Sequence, residues 1–382
     1  YFNRQTGFIS SCSKQHFKEE MTKTNLNTKI DSLINQKKSF ALWRIPGETC
    51  IHYAIQTKES PSLLYDIESL NGRSGFVIAP FNISDAHPIV LISPEDTGYI
   101  EIEEISDNFD LHSNPSGYSF VSEEKDISDY KLKFNNFLQE LVSNKQEKLV
   151  LSRKKTVQRR GNVSITTAFL RAIKRYIYSY VYICYTPQTG IWMGSTPEIL
   201  LAGSKNKWQT VALAGTQRLK DGKLPETWDE KNIREQALVA TYIRQKLLSL
   251  NILTESKGPF PVKAGELSHL KTEFIFNLDD ENIIGKVLKV LHPTPAVCGL
   301  PKETAYEFIL KEEGYDRSYY SGFIGMLKPG GQSDLYVNLR CMNISPDKFT
   351  FYAGGGLLPS SSLEDEWNET EDKMMTMERL FL

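Results

Sequence analysis

Cysteine is scarce in this chain of 382 residues. Its five thiols, Cys12, Cys50, Cys184, Cys298 and Cys341, are odd in number, far apart and without a C-x-x-C pair. This excludes a disulfide framework and fits free thiols in a reducing compartment. The six histidines form no HExxH or other clustered zinc pattern. Charge of one sign is missing too. Lys and Arg number 45 against 47 Asp and Glu, so no basic field exists to draw nucleic acid or an anionic membrane. No apolar run has the length of a membrane span, and the polar start lacks the apolar core of a signal peptide. A cytoplasmic protein is expected. Repeats, low-complexity tracts and linkers are also absent, so one domain over residues 1–382 is expected, with 40% hydrophobic content supplying its core.

The elements that remain are mostly strands. A short helix is expected over 25–35, and FALWRI (from Phe40) and CIHYAI (from Cys50) read as a hairpin around Pro-Gly-Glu. GFVIAPF and HPIVLI follow as buried strands, and Glu95 to Asp129 reads as loop. Further on come a helix over 128–142, a strand opening at Lys148, and a helix over 166–179. YVYICYT and GIWMGSTPEILLAG read as strands with a Ser-Thr-Pro-Glu turn, and WQTVALAGTQRL as a strand running into a glycine turn. The segment from Asp229 is an amphipathic helix with Ile233, Ala237, Ala240, Leu247 and Leu250 in its stripe and Glu235 off it. A three-stranded meander beginning at Gly322, Asp334 and Phe349 precedes the last helix. Hairpin-joined strands with helices between blocks of them argue for an α+β fold with large antiparallel sheets.

The richest stretch runs from Tyr352 to Lys373. Ser362 is a good N-cap with Asp365 three residues on, so a helix starts there, and Leu363, Trp367, Met374, Met377 and Phe381 give it a buried stripe. Glu366, Glu369 and Lys373, at i, i+3 and i+7, share a second face. Alone, such a face reads as a solvated one with a Glu369–Lys373 pair. The glycines at 354–356 just upstream shift the reading, because a glycine loop lets backbone N–H groups approach an anion. A metal and an acidic ligand together are expected there.

From Lys148 onwards, KLVLSR, GSTPEILL, ALAGTQR, KNIREQ, SHLKT, HPTPAVCGLPK, YDRSYYSGFIG, LYVNLRC, YAGGG and EWNETEDK stand in the order found in the chorismate-utilising enzymes, and the chain resembles that family's isochorismate synthases most. Residues 1–125 match only loosely and 126–382 carry the motifs. The resemblance implies a single domain of two extensive antiparallel sheets flanked by helices. It also implies an Mg2+-dependent isomerisation of chorismate to isochorismate, by addition of water with loss of the 4-hydroxyl, for menaquinone or siderophore biosynthesis. Lys148 is implied as base and Glu198 as acid. The reaction needs both at separate ring carbons, with a lysine that can shed its proton and a carboxyl that keeps one. Glu235 and Glu369, helped by Glu366, are implied to hold the metal. Tyr320, Arg340, Lys373 and the Gly354 backbone are implied to hold the substrate carboxylates, and Gly215, Thr216 and His269 to line the ring. His292 is read as structural.

Ala214 stands where aminodeoxychorismate-forming relatives carry lysine, and Ala212, Leu213 and the run 293–297 depart from the ammonia-using anthranilate synthases. Both favour water as nucleophile. The full order of motifs needs no partner subunit, so a monomer without an amidotransferase subunit is expected. Ala296 replaces the threonine frequent in salicylate synthases, which favours stopping at isochorismate. Salicylate formation and a non-catalytic chorismate-like ligand binder are the alternatives. Gln236 departs from the family's usual histidine.

Overall fold

The computed structural model describes residues 26–105, 125–159, 164–219, 221–264 and 267–381. In chain order its strands are β1 Ser39–Arg44, β2 Cys50–Gln56, β3 Ser62–Leu64, β4 Gly75–Ala79, β5 Ile89–Ile92, β6 Asp96–Glu101, β7 Lys148–Gln158, β8 Tyr180–Thr186 and β9 Gly190–Thr196. They continue as β10 Ile199–Ser204, β11 Lys207–Arg218, β12 Thr254–Ala264, β13 Leu267–Phe276, β14 Gly299–Leu300, β15 Phe323–Leu327, β16 Ser333–Val337, β17 Cys341–Ile344 and β18 Lys348–Leu357. The helices are α1 Leu26–Asn35, α2 Ile102–Ile105, α3 Lys125–Val142, α4 Ile165–Arg175, α5 Glu230–Leu248, α6 Ile284–Leu291, α7 Lys302–Glu312 and α8 Leu363–Glu378.

The strands form two nine-stranded sheets, ordered β14-β7-β18-β17-β9-β8-β1-β2-β6 and β12-β13-β11-β10-β16-β15-β4-β5-β3. Antiparallel pairing holds throughout the described residues, as the α+β expectation required. Alternating side chains give each sheet two faces. The inner faces meet in an aromatic layer that includes Trp43, Phe76, Tyr180, Trp192, Tyr319 and Tyr336. The outer face of the first sheet is covered by α1, α4 and the end of α8, that of the second by α5 and α6.

Several elements differ from expectation. Asp96–Glu101 is an edge strand on β2, not loop; 106–124 lie outside the described residues, as does Cys12. The Ser-Thr-Pro-Glu turn is a crossover, since β9 and β10 belong to different sheets. Pro197 and Glu198 lie between the two strands, and the Glu198 carbonyl accepts from Val337 N of the second sheet at 2.9 Å. The glycine of ALAGT sits in a bulge inside β11, where Gly215 takes φ +75° and the register against β13 slips between Ala214 and Thr216. The expected meander is two hairpins, β15–β16 in the second sheet and β17–β18 in the first. Arg340 lies in the connection between them with φ +47°, and so belongs to neither strand.

The buried face of α5 is the predicted one only in part, since Ala240 and Leu247 are buried as expected. Ile233 and Ala237 are exposed, while Asn232, Glu235, Gln236, Val239 and Ile243 are buried. Polar residues occupy the inner face of its first turns because a polar site lies beneath them. The glycines at 354–356 likewise form no loop. They lie within β18, paired with Val150, Leu151 and Ser152 of β7.

Candidate active site

One cleft gathers the loose ends of these elements between the sheets. Glu198, Gly215, Thr216, Glu235, His269, Tyr320, Arg340, Gly354, Glu369 and Lys373 all line it. Lys148 meets it through Glu235, and Glu366 lies behind the glycines of β18.

Lys148 opens β7 and is fully buried. Its Nζ lies 2.9 Å from Glu235 Oε1 but makes no hydrogen bond of good geometry. Below it, Arg317 donates to both oxygens of Glu313 and to the carbonyls of Val150 and Val297, while Glu313 accepts from Ser152 N. This buried network ties β7 to the Ala296–Val297 wall of the cleft. A fork of five guanidinium donors suits such a junction of strand and loop ends.

Glu198 arrives from the other sheet and is 2% exposed. Burial pushes its carboxyl up to about 8, with Lys148 and a long hydrogen bond from Thr294 opposing. At neutral pH it is predominantly the protonated acid.

The glycines of β18 have a steric reason. A Cβ at Gly356 would stand 2.1 Å from Glu235 Oε1 and 2.8 Å from Lys148 Cε, and one at Gly355 2.5 Å from Glu366 Oε2. Without side chains the strand admits three carboxylates side by side. Each is held by its own lysine: Glu235 by Lys148 at 2.9 Å, Glu366 by Lys231 at 2.5 Å and Glu369 by Lys373 at 2.6 Å. Burial and the neighbouring Glu369 push Glu366 up to about 7, against Lys231 and Ser361. Burial opposes ionisation of Glu369 as well, but Lys373 outweighs it and holds this carboxyl below its ordinary value. Glu366 Oε2 is buried without a partner.

His269 donates from Nδ1 to the Gly215 carbonyl at 2.9 Å, which leaves Nε2 to accept from Arg340 Nη2 at 2.6 Å. Burial and Arg340 push the imidazole down to about 3, so it is neutral. The pair aims a guanidinium into the cleft. Lys373 also donates to the Gly354 carbonyl at 2.7 Å, and the Tyr320 ring stacks on Tyr352. Gly354 therefore presents a carbonyl to Lys373 where an N–H toward an anion was expected.

Sequence reasoning missed Lys231, the cation on Glu366. It precedes Glu235 by one helical turn, a spacing that places both on one face and could have revealed it. Gln236, the departure from histidine, donates to Thr272 Oγ1 at 2.6 Å and pins α5 to β13. His292 is buried against Phe323, away from the residues lining the cleft.

Residues 97–382 match the profile of the chorismate binding enzymes. The chain belongs to that family. Among its relatives, isochorismate synthase EntC of Escherichia coli (strain K12) is 27% identical over 243 residues, which make up 62% of this chain and 62% of EntC. The chloroplastic isochorismate synthase of Catharanthus roseus is 32% identical over 278 residues, 69% of this chain and 47% of the plant protein. The chain thus spans under two thirds of the length of these relatives. The fold is that of MenF, the menaquinone-specific isochorismate synthase from Escherichia coli. MenF superposes with a TM-score of 0.75 at 20% identity over 91% of this chain and 89% of its own. Anthranilate synthase component I from Streptococcus pneumoniae TIGR4 shares the fold at a TM-score of 0.61, with 18% identity over 83% of this chain and 79% of that one. No helix among the described residues is long and apolar enough to cross a membrane.

Proposed function

We propose that this chorismate binding enzyme is an isochorismate synthase, isomerising chorismate by adding water at C2 as the 4-hydroxyl departs. The observation that carries the reading is the pairing, from opposite sheets, of a fully buried lysine with a buried glutamic acid raised to about 8 at one cleft. In its neutral form Lys148 takes a proton from the attacking water, and Glu198 gives its proton to the leaving hydroxyl. One water is consumed and one released. Arg340, aimed by His269, and Lys373 hold a substrate carboxylate, with Tyr320 beside them. Gly215 and Thr216 border the ring.

Mg2+ fits the remaining residues. Glu235, Glu366 and Glu369 would hold it, and Glu366 Oε2 is a buried oxygen without a hydrogen-bond partner. When bound, the ion offsets carboxylate charge and supplies a Lewis acid for the second substrate carboxylate. Ala214 and Ala296, both lining the cleft, leave no lysine for a covalent route and no hydroxyl beside the ring at those positions. The enzyme acts as a single-domain cytoplasmic monomer without an amidotransferase subunit.

The test is chromatographic product analysis with chorismate and Mg2+, with and without EDTA, and with ammonium as a competing nucleophile. Partial, reversible conversion to isochorismate that EDTA abolishes is the expected result. Salicylate with pyruvate, or anthranilate with ammonium, would overturn it in favour of another reaction of the family. No product would favour a binding protein.

A further inference from the structure

Away from the cleft, one group of side chains carries metal-ligating chemistry that the proposed reaction does not use. Among the described residues, Glu48, Cys50 and His52 alone bring three carboxylate, thiol or imidazole donor atoms within 4.8 Å of one another. They occupy the turn before β2 and its first residues. Alternate residues of an extended segment project to one face. Cys50 and His52 share theirs with Ala54, which packs in the layer between the sheets.

The Cys50 sulfur lies 3.6 Å from His52 Nε2 and 3.8 Å from Glu48 Oε2, and those two atoms are 2.6 Å apart. Around a tetrahedral zinc-class ion, with bonds of about 2.0–2.3 Å, donor atoms stand roughly 3.2–3.8 Å apart. Two of the three edges are near that length. The third is a hydrogen bond that an ion would replace by a small swing of one carboxylate.

The surroundings favour occupation. The His52 ring stacks on Trp43 with centroids 5.6 Å apart, which fixes its plane. Cys50 is buried, whereas the Glu48 and His52 side chains keep 16% and 25% exposure, enough for an ion to enter and retain water. Thiolate, imidazole and carboxylate together select zinc-class ions over Mg2+.

We propose that Glu48, Cys50 and His52 form a site for one zinc-class divalent cation, distinct from the carboxylate cleft, that clamps the β1–β2 hairpin at the end of the sheet layer.

The test uses the full chain in Mg2+ buffer, titrated with Co2+. Among the described residues no cysteine lines the cleft, so a thiolate-to-cobalt charge-transfer band in the near ultraviolet reports on a thiol site away from it. The expected result is a band saturating at one ion per chain, competed away by Zn2+ and retained in Glu369→Gln. It should be lost in Cys50→Ser and shifted at least about tenfold in affinity in His52→Asn. Zn2+ should raise the melting temperature of the parent and not of His52→Asn. If Cys50→Ser fails to fold, His52→Asn and Glu48→Gln, at partly exposed positions, decide the matter. Absence of the band in excess Co2+, or a band unchanged in His52→Asn and Glu48→Gln, overturns the proposal.

Discussion

Lys148 and Glu235 meet at 2.9 Å on the floor of the cleft, and the strand crossing above them has no side chain at Gly356. The contact joins the first residue of a β-strand to the second turn of a helix packed on the other sheet. Both groups are buried, so neither can be altered without consequence for the other.

Lys148→Ala should therefore remove both catalysis and stability. Loss of a general base lowers turnover about 10²–10⁴-fold. The stranded Glu235 carboxylate should cost about 3–5 kcal/mol, the usual penalty for breaking a buried pair from one side. Turnover assays alongside urea unfolding check both effects, and an active variant would remove Lys148 as base.

Glu198→Gln keeps shape and burial while deleting the proton, so turnover should fall by a similar factor with little loss of folding. In the parent, the acid is available below its raised value, and kcat/KM should decline as pH rises through about 8. Stability follows the same sign. The carboxyl binds its proton more tightly folded than at the unfolded value of 4.5, so its contribution is complete below pH 4.5 and lost as pH climbs to about 8. The melting temperature of Glu198→Gln in EDTA should gain on the parent's across that window. A constant difference would place the ionisation elsewhere.

Gly356→Ala should inactivate the enzyme although it adds one methyl group. That methyl would collide with Glu235 and Lys148, and Gly355→Ala would press on Glu366. For both, the expected readout is at least about a hundredfold loss of kcat/KM, or 2.7 kcal/mol in transition-state binding, with far-ultraviolet circular dichroism retained. Near-normal kcat/KM in Gly356→Ala would show that the carboxylates do not need that space.

Glu369→Gln should raise the Mg2+ concentration for half-maximal activity at least about tenfold, since one of few carboxylate ligands is lost. It also frees Lys373, so calorimetric titration of Mg2+ without substrate separates metal affinity from substrate binding. Unchanged Mg2+ affinity would remove Glu369 from the metal site.

Much of the architecture was legible because its signals are local. The β1–β2 hairpin, the strand from Lys148 and the Ser362 cap, whose Oγ accepts from Asp365 N at 3.2 Å, follow from alternation, turn residues and capping chemistry. The site residues were legible only through ordered motifs, since spacing alone placed Glu235 off the apolar stripe of its helix and Lys148 at the opening of a strand. The α5 stripe misled because hydrophobic periodicity marks the face against a core, and the inner face of its first turns meets a polar cleft. The glycines of β18 read as a loop because a sequence does not show which side chains crowd a strand from the neighbouring helices.

By itself the sequence determined the kinds of element, their order, and the inventory of lysines and glutamates that the chemistry needs. Only the tertiary structure decided which lysine faces which carboxylate, that Glu198 is buried deeply enough to keep its proton, and that Arg340 leaves the ladder at a crossover to be aimed by His269. The reason is physical: burial and charge pairing depend on groups brought together from distant parts of the chain, whereas alternation, capping and turn formation depend on neighbours within a few residues.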